Sequence, residues 1–212
     1  IIPRLLAATQ LETQDGITLI ALPQNRAAWG RLCRLLTLGK SRVEKGSCLL
    51  HIDDVLKFCE GMELILQATS ALSQRGAPTW VQQARRLTRR FGTAVHLQIA
   101  PRYDGRDALR FAQLHKRASE LNIKTVASAA PMMHRGARRR LSDALTCIRE
   151  GIFIDEIGQK AQSNAERHMR SEAQMLEIFT GYEDAVHRSG DIADRCVFSL
   201  DELKYEYPSE IS

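Results

Sequence analysis

Four short β-type runs, each followed by a stretch with helical spacing, constrain this chain more than any other feature of its sequence. They are ITLIAL from Ile17, MELILQ from Met62, AVHLQI from Ala94 and KTVASA from Lys124. The first helix is expected from about Asn25, an N-cap whose side chain can accept an amide, to Gly39, a C-terminal stop. A second begins near Asp53. A third follows Pro78 and Thr79, with Val81, Ala84, Leu87 and Phe91 on one face, and a fourth follows Asp104. Strands alternating with helices predict an α/β fold with parallel strands and crossover helices.

After Arg140 the periodicity changes. LSDALTCIREG, SEAQMLEIF and EDAVHRSGDIADRC are all helical in spacing, and no β-run follows. Ser171 and Gln174 form a capping box for the middle helix, since serine can accept the N3 amide while glutamine reaches back. The chain therefore divides into an α/β part, residues 1–140, and a helical part, residues 141–212. Charge divides at the same place: the first part carries +13 and the second −8, within a total of +5. Such asymmetry fits a nucleic-acid-facing part joined to an acidic, partner-facing one, and solvated surfaces alone also produce it.

At 212 residues and 44% hydrophobic, the chain can bury a sizeable core. No run approaches the ~18 apolar residues of a membrane span, and the N-terminus lacks the order of a signal peptide, so the chain reads as cytoplasmic with no membrane partner. Its five cysteines are odd in number, widely spaced and without a C-x-x-C pair, which predicts free and mostly buried thiols. The opening IIPRLLAA and closing KYEYPSEIS read as the ends of a piece cut from something longer.

Hydrolytic metal centres need several His, Asp or Glu side chains at one point, commonly through H-x-H or D-x-H spacings. The six histidines show no such pair. In VASAAPMMHRGARRR, from Val126, a strand ends where ligands would sit, yet Ala129, Ala130, Pro131, Met132 and Met133 offer no side-chain oxygen or nitrogen ahead of His134. No phosphate-binding or nucleophile-elbow glycine motif is present. What remains is basic: Arg85 with Arg89 and Arg86 with Arg90 form i,i+4 rows opposite an apolar helix face, and Arg138, Arg139 and Arg140 open the next helix. These seven arginines are DNA-contact candidates, weighed against a plain solvated face because no aromatic residue interleaves them.

The segments AAWGRLCRLLTLGKSRVEKGSC, LSDALTCIREG, NAERHMRS and above all IADRCVFSLDELKYEYPSE resemble the bacterial C-family DNA polymerases, and within them the error-prone, damage-inducible members related to the replicase α subunit. The resemblance spans nearly the whole chain. It implies that residues 1–140 are most of a PHP (polymerase and histidinol phosphatase) domain, a distorted β/α barrel lacking its upstream part. Residues 141–212 would be the helical connection toward the polymerase palm. Metal-bearing PHP domains of the family carry Gly-x-Glu where Pro3, Arg4 and Leu5 stand, Arg-His where Pro101 and Arg102 stand, and Asn-Asp-x-His-Tyr where Ala129 to Met133 stand. Leu5, Arg102, Ala130 and Met132 would thus be degenerate metal positions.

The resemblance further implies a non-catalytic segment, with no catalytic residue and no metal or cofactor of its own, within a DNA-directed DNA polymerase acting in damage-induced, translesion synthesis. Mg2+ would sit at the palm of the parent, DNA would be its substrate, and accessory polymerase or sliding-clamp proteins its partners. Two alternatives stand beside this: a metal-dependent PHP phosphoesterase or proofreading domain drawing ligands from His51, His96 or His134, and a protein-interaction module built on the acidic helical part.

Overall fold

The computed structural model describes residues 4–68 and 77–204. Five strands form one open sheet in sequence order: β1 (Thr9–Glu12), β2 (Thr18–Pro23), β3 (Met62–Gln67), β4 (Val95–Ile99) and β5 (Lys124–Ala127). Each of the four β-runs contributes a strand, and β3, β4 and β5 are parallel as expected, with α3 (Ala77–Phe91) and α4 (Asp107–Glu120) as their connections.

The all-parallel expectation fails at β2, which runs antiparallel to both neighbours. Two local causes account for this. The Asp15–Gly16 pair turns the chain in a tight hairpin, with Gly16 at φ 81° and the Thr13 amide donating to the Ile17 carbonyl, so a polar stretch too short to read as a strand becomes β1. Beyond β2 the chain makes two helices, α1 (Arg26–Ser41) and α2 (Ile52–Phe58), which pack on each other and return it to the end it left. β3 therefore starts beside the end of β2, with Pro23 paired to Met62. Nor does the sheet close into a barrel among the described residues; β1 and β5 are its edges.

Asn25 caps α1 as expected, its side chain accepting the Ala28 amide at 3.0 Å. Gly39 is not the stop. The helix continues to Ser41, and Gly39 is buried where a Cβ would meet Cys48 Sγ at 2.5 Å and Leu50 Cδ2 at 2.7 Å. Glycine is required there for close packing rather than for a left-handed turn.

Strand alternation sorts the sheet into two faces. Leu19, Ala21, Leu64, Leu66, Leu97 and Ile99 point into the main core, against Leu32 and Leu35 of α1, Val55 of α2, Ala84 and Leu87 of α3, and Phe111 and Leu114 of α4. Leu22 and Val126, on the other face, pack with Ile192 and Cys196 of α7 (Glu183–Arg195). The helical region also includes α5 (Arg139–Glu150) and α6 (Glu172–Ile178), whose capping box is formed as expected: Ser171 Oγ accepts the Gln174 amide and Gln174 Oε1 accepts that of Ser171. Among the described residues, those after Arg140 add no strand to the sheet, only an isolated bridge between Met133 and His168. α7 lies along the edge strand β5, where Arg188 donates to the Thr125 carbonyl at 2.6 Å. No described helix is long and apolar enough to cross a membrane.

Candidate functional site

The parallel strands β3, β4 and β5 deliver their C-terminal ends to a cleft of about 1130 Å³. Such strand ends are the usual ligand position of α/β sheets. Its walls are cationic: Arg102, Arg106, Arg110, Lys116, Arg117 and Arg167 line it, with Glu120 the one acid among the described lining residues. Arg110 is neutralised by Asp104 and Asp107, and Arg117 by Glu120 at 2.9 Å. The loop after β4 is held in an unusual conformation. Tyr103 has φ 55°, and the Asp107 carboxylate accepts the amides of Arg102 and Tyr103, each at 2.8 Å. After β5, Ala130 has φ 43°, and its carbonyl accepts Arg167 Nε at 3.2 Å. The Met132 amide donates to the Arg167 carbonyl at 2.8 Å, so the NAERHMRS segment braces this corner.

Of the four positions expected from the resemblance to be degenerate metal positions, Arg102 and Ala130 line the cleft; Leu5 and Met132 are exposed and are not among its lining residues. Leucine, alanine and methionine supply no oxygen or nitrogen donor, and a guanidinium repels a cation, so these four side chains do not fit a divalent ion. Among the described residues no three His, Cys, Asp or Glu side chains gather as a ligand set. His51 stands at the N-cap of α2 with Asp15 at 3.7 Å, His134 is exposed beyond β5, and His96 is buried in β4.

The arginine candidates divide. Arg85, Arg86 and Arg89 line a second recess along α3, while Arg138, Arg139 and Arg140 stand at the start of α5 on a separate element. Arg86 pairs with Asp53, Arg90 with Glu60 at 2.5 Å and Arg139 with Asp143 at 3.6 Å. Arg85 and Arg89 are exposed and have no ion-pair partner among the described residues.

A second polar centre was not singled out from the sequence. Glu63 is 1% exposed in β3, and its carboxylate is held by Arg195 Nε at 2.6 Å, His96 Nε2 at 2.9 Å and Gln24 Nε2 at 2.8 Å. Burial alone would push this carboxyl up. The hydrogen bonds from His96, Arg195 and Gln24, with the Arg195 charge, outweigh it and hold the group down at about 2. Beyond Arg195 the chain stays docked: Cys196 packs on Leu22, the Val197 amide donates to the Gln24 carbonyl at 3.0 Å, and Phe198 stacks on Trp29 with centroids 5.2 Å apart. The only sequence signal for this centre was a lone glutamate in the apolar run MELILQ.

No family model matches the chain. Individual relatives do. It is 45% identical over all 212 residues to a Ruegeria pomeroyi protein named error-prone DNA polymerase, of which that match covers 19%. It is 36% identical over 207 residues, 98% of the chain and 19% of the relative, to error-prone DNA polymerase 2 of Agrobacterium fabrum. A Rhodopseudomonas palustris error-prone DNA polymerase is 38% identical over 209 residues, again 19% of its length. The chain thus spans about a fifth of the curated relatives it matches. Over its whole length, it is a homologue of one segment of the bacterial C-family error-prone DNA polymerases.

Proposed function

We propose that this chain is the non-catalytic, PHP-type segment of an error-prone DNA-directed DNA polymerase acting in damage-induced, translesion synthesis in the cytoplasm. The observation that supports the reading is the 45% identity, over the full 212 residues, to one segment of a protein named error-prone DNA polymerase. Residues 1–140 act as scaffold and residues 141–212 as the helical connection toward the palm. Nucleotide addition belongs to the palm, where carboxylates of the parent hold Mg2+. DNA is the parent's substrate, with the exposed arginines of α3 and of the α5 start as candidate phosphate contacts. Accessory polymerase or sliding-clamp proteins are candidate partners of the parent.

The strand-end corner is read as the remains of a metal site. Arg102, Ala130 and Met132 have replaced donors with a cation, a methyl group and a thioether, which removes the chemistry that activates water. Two assays test the reading together. A polypeptide carrying this segment should extend a primer past a template lesion when Mg2+ is supplied, whereas residues 1–212 alone should incorporate nothing. Residues 1–212, purified without a His-tag, should also hold no stoichiometric zinc, manganese or iron and hydrolyse no phosphoester with added manganese. About one equivalent of metal per chain, lost with His134→Ala, would overturn the reading in favour of a working phosphoesterase.

A further inference from the structure

α5 packs with its apolar side outward. Its buried residues are Ser142, Thr146 and Cys147, whereas Leu141, Leu145 and Ile148, at i, i+4 and i+7 on one stripe, are 51, 58 and 76% exposed. The turn that follows adds Phe153 and Ile154, at 79 and 53%. Exposed apolar residues scattered singly need no explanation; five within residues 141–154 form a patch of the kind that marks an interaction surface.

Among the described residues, nothing covers this patch. α5 has 12 residues, a length at which a helix is marginal by itself in water and depends on packing. Yet it belongs to neither apolar cluster, and its main neighbours are the short turns Gly136–Arg138 and Ile154–Glu156 on either side of it. The loop beyond it is fastened on the opposite side: the Gln162 amide donates to Asp143 at 3.0 Å and Lys160 Nζ to Glu150 at 3.0 Å. Those contacts order the loop and leave the stripe open.

We propose that Leu141, Leu145 and Ile148, with Phe153 and Ile154, form an intramolecular docking face that seats an apolar surface from the remaining polymerase polypeptide. The proposal rests on the reading of the chain as a polymerase segment. The length of the relatives argues for this occupant: the matched region is 19% of their single polypeptide, so about four fifths of it lies outside this segment. A surface tethered in the same chain meets the stripe at an effective concentration of order millimolar, which a second copy arriving from solution does not reach.

The test uses the complete polypeptide in which this sequence is encoded, with a photo-activatable benzophenone at position 145. Expected are intramolecular cross-links to peptides outside residues 1–212. Cross-links between two copies, cross-links confined to residues 1–212, or none at all would overturn the docking face. A second measurement guards against probe artefacts. In the complete polypeptide, the pair Leu145→Glu and Ile148→Glu should speed hydrogen exchange of the α5 amides at least tenfold. Unchanged exchange would overturn the proposal. The segment reading fails separately: an antibody against residues 1–212 would then detect only a polypeptide of 212 residues' mass.

Discussion

Arg195, at the end of α7, places its guanidinium on the carboxylate of Glu63 in β3, with Nε 2.6 Å from Oε1 and Nη2 3.1 Å from Oε2. The pair joins positions 132 residues apart and fastens the helical region to the sheet. Glu63 is almost fully buried while the Arg195 side chain is 44% exposed, so the two partners are not equivalent. Removing the cation strands a buried carboxylate; removing the carboxylate frees a guanidinium that water reaches.

Arg195→Met should therefore destabilise the chain more, by about 3 kcal/mol, than Glu63→Gln, by about 1–2 kcal/mol, in urea titrations. Equal losses would mean that solvent, rather than the protein interior, sets the energy of the pair.

The same centre sets an acid limit. The Glu63 carboxyl is lowered from 4.5 to about 2 in the folded chain. A lowered folded-state value gives stability that is fully present above the unfolded value and is lost as pH falls through the folded one. The Glu63 contribution to the melting temperature should thus be fully present above about pH 5 and be lost as pH falls from about 4.5 to 2. Wild-type and Glu63→Gln curves should converge across that window; a constant gap between them would show that Glu63 ionisation does not carry the effect.

Two glycines of α1 should respond oppositely to alanine. At Gly30 a Cβ has nothing within 4 Å, so Gly30→Ala should stabilise by about 0.5–1 kcal/mol through helix propensity. At Gly39 the added methyl meets Cys48 and Leu50, and Gly39→Ala should cost about 1–3 kcal/mol. Urea midpoints moving in the same direction would refute the packing assigned to Gly39.

Thiol chemistry should sort the cysteines by burial. Cys48 is exposed and Cys33 half-buried, while Cys59, Cys147 and Cys196 are buried. Burial pushes the Cys59 thiol up to about 12 and Cys196 up to about 11, which removes their thiolate at neutral pH. Iodoacetamide on the native chain should label Cys48 first, then Cys33, with the other three labelled only after unfolding. Peptide mass mapping after timed labelling reads this order, and early labelling of Cys59 would contradict it.

If the α3 row meets nucleic acid, its two arginines without ion-pair partners among the described residues carry the effect. Arg85→Gln with Arg89→Gln should weaken oligonucleotide binding uniformly across sequences and reduce the salt slope by about 1.4–1.8. Arg86→Gln with Arg90→Gln should change both less, because Asp53 and Glu60 already neutralise those side chains. Unchanged affinity and slope in the first variant would return the row to a solvated face.

Local features were legible from the sequence because their causes are local. Period-two apolar runs located four strands, and the oxygens of Asn25 and Ser171 marked two helix starts, each satisfying an amide within three residues. The corner after β5 was likewise readable as poor in donors, since side-chain chemistry does not depend on folding. Strand direction was not: β2 turned antiparallel through a five-residue turn and a returning helix pair, and no residue within β2 encodes the direction of its neighbour. Gly39 carries the usual mark of a helix end, and only its distance from Cys48 and Leu50 shows it to be a packing site. Glu63 and Arg195 looked like unrelated charges until the fold brought them together. The apolar stripe of α5 is visible in the sequence, but its exposure is not, because burial is a property of what the rest of the chain places opposite a face.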